Sequence, residues 1–202
     1  MTINKDWLLL KHQLTHLLKE ANRWVISPNL VIMLIYAEDH RFSRRNIGVD
    51  FIAICRASWR TLLWRRTEGA STIAMQLVRV LTGRYERTVS RKLLEMYLAI
   101  RLTKYIKKNE IPKLYLFVAY YGWRMNGLIQ ASHRLNFKAS NLTDYEAASI
   151  VARLKYPEPK KFNQNWHDKI LARTNHILLQ ALARSQTRQP QHTQKGDNNG
   201  TV

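Results

Sequence analysis

The sequence predicts a mainly α-helical domain, on three observations. Apolar residues recur at three- and four-residue spacing along most of the chain, as amphipathic helices require. Alternation of apolar and polar residues, the mark of a half-buried strand, is almost absent. Helix start signals stand where the periodic stretches begin: Ser27-Pro28 before one, and the capping box of Thr143 and Glu146 before another. Hydrophobic residues make up 46% of the 202, enough for a buried core, so a chain disordered throughout is excluded. The single cysteine, Cys55, excludes a disulfide framework and a cysteine-built zinc site; among its apolar neighbours it reads as a small buried side chain.

Residues 5–20 carry Trp7, Leu8, Leu10, Leu14, Leu17 and Leu18 at helical spacing, with Lys and His between them. Such a helix either packs on the domain or lies on a membrane surface. Proline at the first helical position starts the next helix, which runs to about Glu38. Asp39 to Val49 is a polar, Arg-rich loop, and Asp50 caps a helix to about Leu63. Residues 64–70 break the period. Ser71 or Thr72 caps a short helix to about Leu81, and Gly83 separates it from a long basic helix over about 88–108. Asn109 caps a helix through Ala119, with Pro112 tolerated in the first turn. Residues 120–127 read as a loop. Helices follow at about 128–135, 143–154 and 166–184. The organisation is an amphipathic N-terminal segment over 1–27, a main domain over 28–184, and a disordered tail over 185–202, which holds no apolar residue until Val202.

Lys and Arg number 33 against 14 Asp and Glu, a formal net charge of +19. That charge points to an anionic partner: nucleic acid, an anionic membrane surface, or a phosphate-bearing substrate. The apolar run Leu30 to Ala37, which no other run exceeds, falls short of the ~20 residues a spanning helix needs. Lys5, Asp6, Lys11 and Lys19 interrupt the N-terminal leucines, and no secretory signal is expected.

In so basic a chain each acid is informative. Glu38-Asp39 ends an apolar helix and opens a polar loop, half against packing and half towards a cleft. That setting suits a general base, although a solvated helix end carries the same residues. Glu95 shares a helix face with Arg91 four residues before it and Lys92 three before, and Arg87 extends the stripe. The stripe is either an exposed salt-bridge ladder or an acid set among cations that hold a diphosphate. Gly69 to Gln76 places Ser71 and Thr72 at a helix N-terminus, where free N–H groups and the dipole receive either an anion or a plain cap. His12 and His16 are four apart on one helix, but no third ligand is evident, so no resident metal site is expected.

These pieces, in this order, resemble the family 51 glycosyltransferases, the peptidoglycan transglycosylase domain of penicillin-binding proteins and their monofunctional relatives. The family's Glu-Asp-x-x-Phe-x-x-His-x-Gly-x-Asp resembles Glu38-Asp39-His40-Arg41-Phe42 leading to Gly48 and Asp50. Its Gly-x-Ser-Thr-x-x-Gln-Gln resembles Gly69 through Gln76, and Arg-Lys-x-x-Glu-Met is met in full by Arg91 to Met96. Echoes of a fourth and fifth motif lie at Leu114 to Gly127 and at Glu146 to Pro157, so the likeness covers about residues 28–165. The departures are specific. One extra residue separates Phe42 from Gly48, and Arg45 or Asn46 stands at the family's His. Met75 replaces a Gln, Arg79 a Lys, Phe117 an Asn and Thr103 a Glu. No stretch of the sequence has the length of the family's membrane anchor.

The resemblance implies a lysozyme-like multi-helix fold and a part in cell-wall biogenesis: polymerisation of lipid II into glycan strands, with inversion and release of a polyprenyl diphosphate. It implies Glu38 and Glu95 as catalytic residues, with Glu38 as general base. Arg79, Arg87, Arg91 and Lys92 would meet the diphosphate, with Asp39, Ser71, Thr72 and Gln76 lining the cleft. It also implies a divalent cation, Mg or Mn, and a place at the periplasmic face of the bacterial inner membrane. Expected partners are lipid II, the growing strand and an anionic membrane surface. Two other readings stay open. One is a degenerate module that binds lipid-linked sugar diphosphate or an anionic membrane without turnover. The other is a nucleic-acid binder, drawn only from the charge and from Trp59, Trp64 and Trp123, and not required by the motifs.

Overall fold

The computed structural model describes residues 3–42, 48–50 and 71–188. The expected helix from Phe51 to Leu63, the loop over 64–70, Arg45, Asn46, Cys55 and the tail from 189 onward lie outside the described residues. Within them the fold is mainly α: eight helices and one short hairpin.

Helix α1, Ile3–Ala21, buries Leu10, Leu14 and Leu17 in the same core as the rest of the chain. Trp7 meets Tyr105 edge-on, with ring centroids 5.8 Å apart, and the Arg101 guanidinium lies 4.7 Å over the indole. The segment is therefore a packed helix. Its outward face keeps Leu8 and Leu9 exposed.

Helix α2, Pro28–Glu38, starts at its proline as expected, but the Ser27 hydroxyl does not cap it. Ser27 is buried, and its backbone N–H donates to Ala139 O at 2.7 Å. Helix α3, Ile73–Thr82, is capped by Thr72 and stops at Gly83, whose φ of +64° only glycine adopts without cost. Helix α4, Val89–Tyr105, is capped by Thr88 and is shorter at both ends than the periodicity predicts. Ile106 is extended and buried, so its apolar side chain pulls the chain out of the helix. Helix α5 spans Glu110–Val118 with Pro112 in its first turn; Asn109 precedes it without a side-chain cap.

The segment read as a loop over 120–127 holds the hairpin, β1 Tyr120–Gly122 with β2 Met125–Asn126 antiparallel. It is too short to show a period of two. Glu158 pairs alongside β1, and Gly122 is required there, because a Cβ would lie 2.3 Å from Glu158 N. Helix α6, Leu128–Leu135, and α7, Asp144–Lys155, follow, the latter with the predicted capping box complete. Helix α8, Gln164–Arg188, continues past the predicted domain end at 184, so residues 185–188 are helical rather than tail.

Helix α2 lies at the centre, packed on α5, α7 and α8, while α3 packs on α4 and α5. Leu30, Leu34, Leu77, Leu102, Leu114 and Val151 fill the shared core. The Asn29 side chain donates to Leu142 O at 2.9 Å and ties the start of α2 to the segment before α7. The opposite end of α2 carries Glu38.

Candidate functional site

Glu38 closes α2 with its side chain 19% exposed. Its Oε2 accepts from Gln76 Nε2 of α3 at 3.0 Å, and its Oε1 from Arg173 Nη2 of α8 at 3.3 Å. The same Arg173 nitrogen donates to Ala37 O at 3.0 Å. The unfavourable meeting of a carboxylate with the negative end of its helix is thus offset by a guanidinium.

Asp39 is buried and turns the other way. Its Oδ2 accepts from the Ile73 N–H at 3.4 Å, at the first turn of α3. The anion at this helix N-terminus is the chain's own carboxylate, so the segment from Ser71 serves as a cap and not as an open anion site. Thr72 completes the cap: its Oγ1 accepts from Met75 N at 3.2 Å and donates to Gly48 O at 2.6 Å. Gly48 N donates to Thr103 Oγ1 at 3.2 Å, so the hydroxyl at the departure from the family's Glu anchors the end of the loop.

Glu95 is 3% exposed and surrounded by cations. Arg79 forks onto it, Nε to Oε2 at 3.1 Å and Nη2 to Oε1 at 3.0 Å. Lys92 Nζ donates to Oε1 at 3.0 Å, and Arg91 Nη1 donates to Oε2. Ser71 Oγ joins the group, accepting from Lys92 at 2.8 Å and Arg79 at 3.2 Å. Three cations around one buried acid leave an excess of positive charge, so the solvated ladder is excluded. Burial pushes the Glu95 carboxyl up, but hydrogen bonds from Arg79 and Lys92 outweigh it and hold the group below the usual carboxylate range. Burial pushes Lys92 down and outweighs the pull of Glu95, with Arg79 and Arg91 adding to the downward push. Arg91 also borders a cavity of about 660 Å³ at the start of α4, shared with Asp6, Arg84, Ser90, Leu94 and Tyr97.

Arg87 is placed differently from the expectation. It precedes the Thr88 cap, outside α4, and is exposed, so it does not continue the stripe of Arg91 and Glu95. The cap starts α4 at Val89, two residues after Arg87, so the four-residue helical spacing does not apply.

Arg173 is the site residue that sequence spacing missed. It lies 135 positions from Glu38. A signal existed: Ile170, Thr174 and Ile177 are the buried positions of α8, and Arg173 falls on their stripe, where a cation is out of place unless it has an acid to meet.

The donor set at Glu95 does not fit a divalent ion held by the protein alone. Both oxygens already accept from three cations, and no group of three or more His, Cys, Asp or Glu among the described residues converges on a common point.

Residues 11–182 match the family model described as transglycosylase. Penicillin-binding protein 1A of Escherichia coli (strain K12) is 34% identical over 84% of this chain and 20% of its own length. The biosynthetic peptidoglycan transglycosylase of Nitrosospira multiformis is 32% identical over 80% of this chain and 71% of its own. The protein of the same name from Bdellovibrio bacteriovorus is 34% identical over 79% of this chain and 58% of its own. The match thus spans a fifth of the first relative and most of the second. No helix among the described residues is long and apolar enough to cross a membrane.

Proposed function

The chain belongs to the transglycosylase family, and from that premise we propose that it is a peptidoglycan glycosyltransferase, acting on lipid II with Glu38 as its general base. The observation that carries the reading is the link between the two acids. Gln76 and Arg79, three residues apart on α3, reach Glu38 and Glu95 respectively. One rigid helix therefore sets the distance between a base and a cation cluster.

The chemistry follows from that placement. Glu38 takes the proton from the 4-hydroxyl of the acceptor sugar as its oxygen attacks the anomeric carbon of the donor strand. The bond to the diphosphate breaks on the opposite face, through an oxocarbenium-like transition state, and the configuration inverts. The departing diphosphate gathers negative charge, which Arg79, Arg91 and Lys92 neutralise from positions already set before reaction. Glu95 keeps those three cations together; without it their mutual repulsion would scatter them. Asp39 and Thr72 hold the first turn of α3, Ser71 accepts from Arg79 and Lys92 in the cation cluster, and Arg87 supplies outer positive charge for the approach of the substrate. A divalent cation enters this scheme only as the counter-ion that the diphosphate brings with it. The basic surface and the exposed leucines of α1 serve an encounter with an anionic membrane, on the periplasmic face where lipid II is polymerised.

The test is polymerisation of labelled lipid II by the purified protein, with and without Mg²⁺ or Mn²⁺. A ladder of glycan strands that disappears in Glu38→Gln supports the reading. Tight binding of lipid II with no turnover would make the protein a non-catalytic module.

A further inference from the structure

We propose that Arg173 and Arg184 of α8 are positioning residues that clamp the last turn of α2 and thereby aim the Glu38 carboxylate. The inference rests on the reading of Glu38 as the base. A helix C-terminus leaves its last carbonyls without internal partners and carries partial negative charge. At the end of α2 two consecutive carbonyls are met by two arginines of one other helix. Arg173 Nη2 donates to Ala37 O at 3.0 Å, and Arg184 Nη1 donates to Tyr36 O at 3.3 Å, with its guanidinium 5.0 Å over the Tyr36 ring. The arginines stand on the buried stripe of α8, one on each side of Ile177, which is fully buried. At a rise of ~1.5 Å per residue they reach the same turn from opposite directions along α8.

Arg173 alone also touches the acid. Its side chain is 14% exposed, and its Nε is buried with no hydrogen-bond partner among the described residues. A leucine would serve packing at this position at lower cost, because desolvating a guanidinium is expensive and the pair with Glu38 recovers only part of it. The cost is explained by what it secures. Glu38 Oε1 is held by Arg173 and Oε2 by Gln76, so the plane of the carboxylate is set by donors from two helices. Each oxygen keeps a further lone pair for an incoming hydroxyl. A small misplacement of a reacting group costs much in rate and little in binding, so loss of the clamp should appear in kcat.

The experiment compares Arg173→Met, Arg173→Lys, Arg184→Met and Glu38→Gln in lipid II polymerisation, reading kcat, KM and thermal midpoint for each. Arg173→Met is expected to lower the thermal midpoint, because Glu38 and Ala37 O lose their cation, and, assayed where it is still folded, to change KM less than about twofold while kcat falls roughly 10- to 100-fold. Arg173→Lys regains part of kcat, and Arg184→Met loses several-fold. Parental kcat in Arg173→Met, with Glu38→Gln inactive, would overturn the clamp and leave the base standing. Full activity in Glu38→Gln would overturn the base reading whatever the arginines do. If Arg173→Met does not fold, Arg173→Lys decides: reduced kcat at unchanged KM supports the clamp, and parental kcat overturns it.

Discussion

Gln76 and Arg79 occupy adjacent turns of α3 and reach opposite acids, Gln76 donating to Glu38 and Arg79 to Glu95. The buried positions Ile73, Ala74, Leu77 and Val78 hold the helix in the core between them. Because α3 cannot bend without disturbing that packing, the separation of the two acids is a property of the fold and not of flexible side chains.

The first consequence concerns Glu38. Glu38→Gln keeps one oxygen to accept from Arg173, and its NH2 finds an acceptor once the Gln76 amide turns over, but the basic oxygen is gone. Polymerisation of lipid II should fall by about 10²- to 10⁴-fold, the usual worth of a positioned general base. The thermal midpoint should barely move. Strand formation on a gel, read beside circular dichroism, checks both; full retained activity would refute the assignment.

Glu95 should matter for stability first. Glu95→Gln leaves Arg79, Arg91 and Lys92 facing one another without an anion, and breaking a buried pair of this kind costs about 3–5 kcal/mol. The pH sign is set by the depressed carboxyl. Its folded value lies below its unfolded one, so its contribution is complete above the ordinary carboxylate range and disappears as the pH falls through the folded value. The parent should lose stability on acidification through that window, and Glu95→Gln should show a flatter curve there. Denaturant titrations from neutral to acid pH give the comparison.

The helices were legible wherever a cap or a proline marked them. Thr72, the capping box at Thr143 and Glu146, and Pro28 all stand where local chemistry put them. Arg91 and Lys92 beside Glu95 were legible because helical spacing sets their shared face, whereas Arg79 comes from α3 and was indicated only by the family resemblance. The partners of Glu38 were not. Arg173 and Gln76 are distant in sequence, and a tertiary contact leaves no periodic trace. The hairpin at Tyr120 was hidden because its third partner, Glu158, comes from a loop. Arg87 was misplaced because Thr88 caps the start of α4 just after it and leaves Arg87 outside the helix.

Gly48 is held by space, not by conformation. A Cβ there would lie 2.5 Å from Ala99 O and 2.7 Å from Thr103 Cγ2. The residue also bonds Thr72 on one side and Thr103 on the other. Gly48→Ala should push residue 48 off α4 and strain the cap of α3, at a cost of about 1–3 kcal/mol typical of overpacking. Chemical denaturation measures it; a stability equal to the parent's would mean that Gly48 does not sit against α4 in solution.

Binding of the lipid-linked diphosphate should distinguish two cations of equal charge. Lys92→Ala removes a partly buried ammonium from the cluster and should weaken lipid II binding roughly tenfold, about 1.4 kcal/mol. Arg87→Ala removes an exposed charge outside α4 and should change affinity much less, mainly at low salt. Titrations at several salt concentrations test the order; equal losses would place Arg87 at the diphosphate after all.

Arg79 is where this chain departs from the lysine of the family motif, and the geometry gives the departure a consequence. A guanidinium presents a fork, and here both prongs are spent on Glu95, with Ser71 sharing one of them. An anion entering the cluster must compete with that fork. A lysine would offer one compact charge, leave one Glu95 oxygen to Arg91 alone, and turn more readily to a departing phosphate. Arg79→Lys should therefore lose stability, by about 1–2 kcal/mol for the hydrogen bonds given up, while its turnover of lipid II equals or exceeds the parent's. Arg79→Met, which removes the charge, should lose both. If the lysine variant is as inactive as the methionine one, the fork itself is what the reaction needs, and Arg79 is a specific phosphate ligand rather than a brace for Glu95.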